Sequence, residues 1–390
     1  MANPPEDFKC PISLEIMSDP VILSTGQTYD RSSIQRWLEA GERTCPKTKI
    51  PLQDTKLIPN YALRSLICQW AQSHGVDLKK PAERKTPGLN SGYGPAEREG
   101  LLKLKQMVEG LIKRMSLPNI SVQGRRDAIK EIRVLAKENR ETRLRIVECG
   151  AIAKILGLLS CGDAQTEENS VVALLNLSVD DENKVGLVAE GAVDYIVNAL
   201  KNASMDTRAT AAVTLTSLAV VDVNKATIGS RSDAIPALVK LLAEGNARGK
   251  KEATTTLYSL CFYPDNKRKA VISGAVPLLL RLAVEGSSEA AERPLEVLDM
   301  LSFCPEGRDA IGQQRAIMRT LLRFVNGGTL RSREHAVATL SSLCCGSKHW
   351  TQEARDAGAM DCCLELLEDG TARSRRKASA LIKALEECQN

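Results

Sequence analysis

From Leu101 onward the chain repeats with a period of about 42 residues, and this restricts its fold more than any other feature. A Gly-Ala dipeptide stands at Gly150-Ala151, Gly191-Ala192, Gly274-Ala275 and Gly358-Ala359, with degenerate copies at Asp233-Ala234 and Arg315-Ala316; successive copies lie 41, 42, 41, 41 and 43 residues apart. A pair of apolar residues three apart falls at Ile132/Leu135, Leu174/Leu177, Leu215/Leu218, Leu257/Leu260, Leu298/Leu301, Leu340/Leu343 and Leu381/Ala384, spaced by 42, 41, 42, 41, 42 and 41. Each unit reads as a short helix ending at the glycine, a second helix such as 152–159, a polar turn such as 160–164 and a longer third helix such as 166–178. Pro236 and Pro277 sit in the first turn of the second helix, where the missing N–H costs nothing. Aromatic residues make up only 3% of a chain that is 43% hydrophobic, so the core is helix packed on helix through Leu, Ala, Val and Ile.

Three helices in such a period resemble the armadillo repeat, whereas tetratricopeptide and ankyrin units are near 34 and 33 residues. About six repeats with partial caps are expected over 101–390, each burying its apolar face on its neighbours. In the armadillo family the third helices line a concave groove, and import-receptor-like members carry a Trp and an Asn four residues apart along them. The Asn-equivalent positions here, candidates for holding substrate, are Asn176, Ser217, Ser259, Met300 and Ser342; the Trp-equivalent ones are Val172, Val213, Thr255, Glu296 and Ala338. With one rung left, basic import peptides are not the expected ligand, and a folded or phosphorylated protein is. Leu101–Arg145 carries 12 Lys/Arg against 5 Asp/Glu, read either as a site for an anionic partner or as a solvated helix face. The second reading is preferred because no aromatic residues are interleaved for base stacking. A net charge of +5 does not call for a nucleic-acid partner.

Upstream, Pro20-Val21-Ile22-Leu23 reads as a strand, Ser24-Thr25-Gly26-Gln27 as a hairpin turn and Thr28-Tyr29 as the returning strand. Asp30 is placed to cap a helix over 31–40, with Gly41 at its left-handed end. Ile34, Trp37 and Leu38 form its apolar stripe, and Asn60 would cap a last helix through Leu63, Leu66, Ile67 and Trp70. From Lys79 to Gly100 apolar residues nearly vanish, which reads as a flexible linker spanning roughly 25 Å. The cations of Lys79–Lys85, interrupted by Glu83, read as solvated linker in preference to a nuclear address.

Two loops bracket the first half of this region, Cys10-Pro11-Ile12-Ser13 and Cys45-Pro46-Lys47-Thr48. Each looks like a Cys-x-x-Cys zinc knuckle that has lost its second ligand. Two cross-braced zinc sites need about eight Cys or His ligands, and between Phe8 and Trp70 stand Cys10, Cys45, Cys68 and no histidine. The domain is therefore expected to stand without metal, and no cofactor is expected. The twelve cysteines follow no disulfide framework and read mostly as small apolar core residues in a reducing compartment. Neither a signal peptide nor an apolar run long enough to span a membrane is visible, so a cytoplasmic location, extending to the nucleus, is expected.

Cys10-Pro11-Ile12-Ser13-Leu14-Glu15, Asp19-Pro20-Val21, Gly26-x-Thr28-Tyr29-Asp30-Arg31, Ile34-x-x-Trp37, Cys45-Pro46-x-Thr48 and Leu57-Ile58-Pro59-Asn60-x-x-Leu63-Arg64 together resemble a U-box, a RING-like α+β fold without zinc, over 4–78. A U-box followed by armadillo repeats is similar to a plant family of E3 ubiquitin ligases, so the chain is expected to be mostly α. The resemblance implies that the U-box docks a ubiquitin-charged conjugating enzyme (E2) through Ile12, Leu14, Trp37 and Pro46 and promotes direct transfer of ubiquitin to a substrate lysine, with no covalent enzyme intermediate. Lys49 takes the place of an activating cation, usually Arg, that contacts E2 and ubiquitin. Ser13, Asp19, Tyr29, Asp30 and Thr48 are of the type that pins such loops, and receptor-like kinases or other signalling proteins are implied as partners of the repeats. A covalent role for Cys10 or Cys45 is disfavoured, since a nucleophilic thiol wants a neighbouring His or cation. A non-catalytic armadillo scaffold stays open as the alternative.

Overall fold

The computed structural model describes residues 4–23, 25–52, 55, 57–60, 63, 67, 70, 71, 74, 76, 95–117 and 119–387. At the N-terminus β1 (Pro20–Ile22) and β2 (Thr28–Asp30) form an antiparallel hairpin with Val21 opposite Tyr29, and β3 (Ile58–Pro59) adds to the other edge of β1. Helix α1 (Arg31–Glu39) follows β2 directly. Asp30 caps it by accepting from the Ser32 N–H, and Gly41 stands just beyond it at φ 88°, as the sequence predicts. The core gathers Met17, Val21, Leu23, Tyr29, Ile34 and Ile67 together with Cys10 and Cys45. Of the helix predicted after Asn60, only Leu63, Ile67, Trp70, Ala71 and His74 are described, and all five are helical.

The predicted linker is corrected at one end; its residues 79–94, including the Lys79–Lys85 cluster, lie outside the described residues. Helix α2 (Pro95–Met115) starts six residues before the expected boundary. Pro95 supplies a fixed φ suited to a first turn, and Ala96 to Glu99 are helix formers, so the Gly94-Pro95 pair that reads as a breaker is a helix start.

The chain divides into two compact units, Met1–Ile196 and Val197–Asn390. The first also holds α3 (Val122–Glu138), α4 (Arg140–Glu148), α5 (Ala151–Leu158), α6 (Ala164–Leu177) and α7 (Asp181–Ala189), with α3 packed on α6; α8 (Ala192–Asn202) follows. The second runs through α9 (Met205–Leu218), α10 (Asp222–Ser230), α11 (Ala234–Glu244), α12 (Ala247–Leu260), α13 (Pro264–Ile272), α14 (Ala275–Glu285), α15 (Glu292–Leu301), α16 (Pro305–Gly312), α17 (Ile317–Gly327), α18 (Leu330–Cys344), α19 (Lys348–Asp356), α20 (Ala359–Asp369) and α21 (Ala372–Glu387). There the long third helices α9, α12, α15, α18 and α21 pack each on the next.

The repeat corners show why the dipeptide recurs. Gly150, Gly274 and Gly358 hold φ of 76°, 84° and 88° immediately before the second helix, a region glycine enters without steric cost. At the degenerate copy the left-handed residue is Ala316, φ 56°, one position later than the Arg315-Ala316 alignment implies. Counted by backbone, Gly274, Ala316 and Gly358 are evenly spaced. Further ties recur at the same period. Ser121, Asp163, Ser204, Asn246 and Thr329 cap the third helices through their side chains. The Asn183, Asn224 and Asn266 amides donate to the last carbonyls of the preceding third helix, Leu177, Leu218 and Leu260 O, at 2.9–3.0 Å. Helix α15 is the short exception, because Pro294 has no N–H with which to extend its first turn backward.

Candidate functional site: two hydrogen-bonded loops

The two loops share one hydrogen-bond scheme. Cys10 O accepts from Leu14 N at 2.8 Å and Cys45 O from Lys49 N at 2.8 Å; Cys10 N donates to Glu15 O and Cys45 N to Ile50 O, both at 2.9 Å. Outside these, Met17 N donates to Phe8 O and Leu52 N to Arg43 O. The closure forces the same corner residue into the left-handed region, Leu14 at φ 59° and Lys49 at φ 61°. That conformation costs a non-glycine residue about 1–2 kcal/mol, and the ladder around it must supply the difference.

Strand β2 holds both loops, since its successive residues face opposite ways. The buried Tyr29 hydroxyl accepts from Lys47 N at 3.1 Å and shares a hydrogen bond with Cys45 Sγ at 3.0 Å. Burial first, then this bond to Cys45, pushes the Tyr29 hydroxyl well above its ordinary range. Asp30 serves the other side. Its N–H donates to Cys10 Sγ at 3.2 Å; its Oδ2 accepts from Ser18 N at 2.8 Å, Ser18 Oγ and Asp19 N, and its Oδ1 from Ser32 N and Ser32 Oγ. Burial opposes the Asp30 charge, but the bonds from Ser32, Asp19 and Ser18 outweigh it and hold the carboxyl below its usual range. Asp19 in turn takes Arg31 Nε at 2.7 Å. The sulfurs that would ligate metal in a zinc knuckle are thus each hydrogen-bonded to β2.

Of the residues expected to pin the loops, Asp19, Tyr29 and Asp30 make the hydrogen bonds just described. Thr48 Oγ1 accepts from Ile50 N at 3.5 Å within its own loop, and Ser13 is exposed with no hydrogen bond among the described residues. Of the expected docking residues, Leu14 is 74% exposed, Ile12 and Trp37 are half-buried against the core, and Pro46 is half-buried. Trp37 Nε1 donates to Thr44 O at 2.9 Å, and the Lys49 ammonium lies 5.7 Å from the centre of the Trp37 ring, which brings these two together. Ser18, Ser32 and Arg31 were not singled out from the sequence; the signal available was the Asp30-Arg31-Ser32 cap itself. Burial raises the Cys45 thiol, but the hydroxyls of Thr25, Thr48 and Tyr29 turned toward it prevail and draw it down to about 6; Tyr29 alone reaches it with good hydrogen-bond geometry, as buried Thr25 Oγ1 has no hydrogen-bond partner. Cys45 is fully buried, which denies it a substrate.

In the repeats, Ser217, Met300 and Ser342 are half-buried. Half-buried Asn176 donates to Arg133 O at 3.1 Å, tying α6 to α3, and half-buried Ser259 donates to Thr255 O in its own helix. In the basic stretch Leu101–Arg145, Arg126 pairs with Asp163, Arg143 with Asp180, Arg140 with Glu182, and Arg145 with Glu141 and Glu148.

A small sheet and helix presenting two hydrogen-bonded loops, followed by three-helix repeats, define a U-box joined to armadillo repeats. The U-box domain model matches residues 4–76 and that of the plant U-box protein ARM repeat region matches 107–389; the chain belongs to this plant family of U-box proteins with ARM repeats. It is 40% identical over 382 residues to U-box domain-containing protein 8 of Arabidopsis thaliana, covering 98% of this chain and 97% of that one. It is 39% identical over 392 residues to U-box domain-containing protein 17 of Arabidopsis thaliana, covering 99% of this chain but 53% of that relative. The E3 ubiquitin-protein ligase SPL11 of Oryza sativa subsp. japonica is 42% identical over 181 residues, 46% of this chain and 24% of that protein. Among solved structures, an engineered protein determined by a structural genomics consortium superposes with a TM-score of 0.62 at 18% identity, covering 86% of this chain and 90% of that one, a likeness of fold alone.

Proposed function

We propose that the chain is an E3 ubiquitin-protein ligase of the RING-type class. Its two loops and α1 dock a ubiquitin-charged E2, and its repeats hold the protein that receives ubiquitin. The observation that carries this reading is the exposed, left-handed Leu14 and Lys49 at equivalent corners of two loops built alike, with half-buried Ile12, Trp37 and Pro46 on the same elements. Apolar anchors backed by a core dominate interface energies. Transfer passes from the E2 thioester directly to the acceptor lysine, and the rate gain is proximity and orientation. Membership of a family that includes SPL11 supports the reading.

The test is reconstitution of the full chain with activating enzyme, ubiquitin, ATP and a panel of E2s. Ubiquitin chains are expected on the protein itself with at least one E2. Ile12→Ala is expected to weaken E2 docking by about 1–3 kcal/mol while leaving the domain folded. Silence across the panel favours the non-catalytic scaffold instead.

A further inference from the structure

The chain has four phenylalanines, and two of them occupy the same exposed position in successive repeats, just past a third helix. Phe262 follows α12 and is 56% exposed; Phe303 follows α15 and is 55% exposed. Single exposed apolar residues are ordinary, but these rings are dressed with cations. The ammonium groups of Lys267 on α13 and Lys377 on α21 stand 5.4 and 6.0 Å from the centre of the Phe303 ring, and that of Lys225 on α10 stands 5.8 Å from the centre of Phe262. Lys225 is neutralised by Asp222. Neither Lys267 nor Lys377 has a carboxylate partner among the described residues. Arg373, one turn before Lys377, is already held by the buried Asp299 at 2.9 Å, so it anchors α21 beside α15 and leaves the two lysines as the uncommitted charge.

We propose that the Phe303 ring with Lys267 and Lys377 is a docking site for an extended acidic peptide segment of a partner protein, in which an apolar side chain lies beside carboxylates. The apolar side chain covers the exposed ring edge while the carboxylates take the ammonium groups, each of which is fixed by its hold on the ring. Phe262, one repeat earlier, offers a second apolar contact along the same row. A purely basic peptide meets two like charges here, and a purely polar acidic one leaves the rings wet. The inference deepens the reading of the repeats as the part that holds a partner, and it is tested by binding alone, so that a ligase without this site and a site without ligase activity give different results.

The experiment titrates fluorescently labelled dodecapeptides into the full chain and follows anisotropy, with alternating leucine and glutamate as the probe and alternating leucine and lysine or serine and glutamate as comparisons. Binding of the first alone is expected. Lys267→Glu, Lys377→Glu and Phe303→Ser are each expected to weaken it about tenfold or more, whereas Arg319→Glu, on the exposed side of α17, leaves it within twofold. All are exposed or half-buried positions, and unchanged thermal unfolding verifies that each variant folds. No saturation by the leucine–glutamate probe up to millimolar concentration overturns the proposal. Equal losses from Arg319→Glu and Lys267→Glu, or no loss from Phe303→Ser, reduce the binding to unspecific charge and overturn it as well.

Discussion

Replacing Asp30 by alanine removes the side chain that joins the Ser18 and Asp19 amides at the end of the first loop to the Ser32 amide at the start of α1. Its loss deprives the helix of its cap, worth about 1 kcal/mol, and takes the acceptor from the Ser18 and Asp19 amides, 2.8 and 3.1 Å away. Asp19 is 6% exposed, so its N–H loses its bond where water enters poorly, at about 1–3 kcal/mol; half-buried Ser18 regains water and adds less. The sum is about 3 kcal/mol. A domain of the size matched by the U-box holds about 4–11 kcal/mol in all, so the variant folds but opens more often. Amide hydrogen exchange of the full chain, read on peptides covering β2 and α1, is expected to speed up about a hundredfold, since 1.4 kcal/mol is a factor of ten. Asp30→Asn keeps one acceptor oxygen, enough for either the cap or the loop, and is expected to fall between. The pH dependence has a definite sign. The folded-state carboxyl titrates below its unfolded value near 3.9, so the unfolded chain binds more protons between the two. Its contribution is complete above about pH 3.9 and is lost as pH falls through the folded value; the alanine variant lacks this acid limb. Exchange accelerated less than threefold in Asp30→Ala, or an unaltered acid limb, refutes the assignment of Asp30 as the joint.

Ala316→Gly relieves the left-handed alanine and is expected to stabilise the chain by about 1 kcal/mol, visible as a higher midpoint in thermal unfolding. Asn266→Ala removes two amide bonds, to Leu260 O and Lys225 O, and is expected to cost about 2–4 kcal/mol in urea titration. Gly229→Ala should perturb the same place, because a Cβ there comes within 1.7 Å of Asn266 Oδ1. Lys49→Arg is expected to raise the rate of chain formation in the reconstituted reaction, since a guanidinium makes two directed bonds where an ammonium acts as a point charge; an unchanged or lower rate removes Lys49 from the activating role.

The repeat fold was legible because apolar spacing is a geometric demand on every unit, so Leu174/Leu177 and their copies mark it however the surface varies. Finer ties sit at the same period but are not legible in the sequence, for a physical reason. A lone Ser, Asp or Asn before a helix has many ordinary uses, so the capping row from Ser121 to Thr329 and the Asn183, Asn224, Asn266 row emerge only once helix ends are known. The Asn row even changes chemistry along the chain: after α15 its position is Gly307, where a Cβ would lie 1.9 Å from Leu301 O, and Arg308 donates to Ser302 O instead.

The loops were legible by likeness, their mechanism less so. A cysteine without a second ligand reads as core, and burial of Cys10 and Cys45 agrees, yet each sulfur is also hydrogen-bonded to β2. Left-handed backbone at Leu14 and Lys49 runs against propensity, and these two with Ala316 are the non-glycine residues of positive φ among the described ones. What imposes it is the bond from each corner N–H back to the cysteine carbonyl, a contact that sequence alone does not display. The same closure that strains these corners turns Leu14 and Lys49 outward. In the proposed ligase, then, strain and exposure share one cause, and the hydrogen-bonded closure does for the docking loops what a metal ion does in a zinc knuckle.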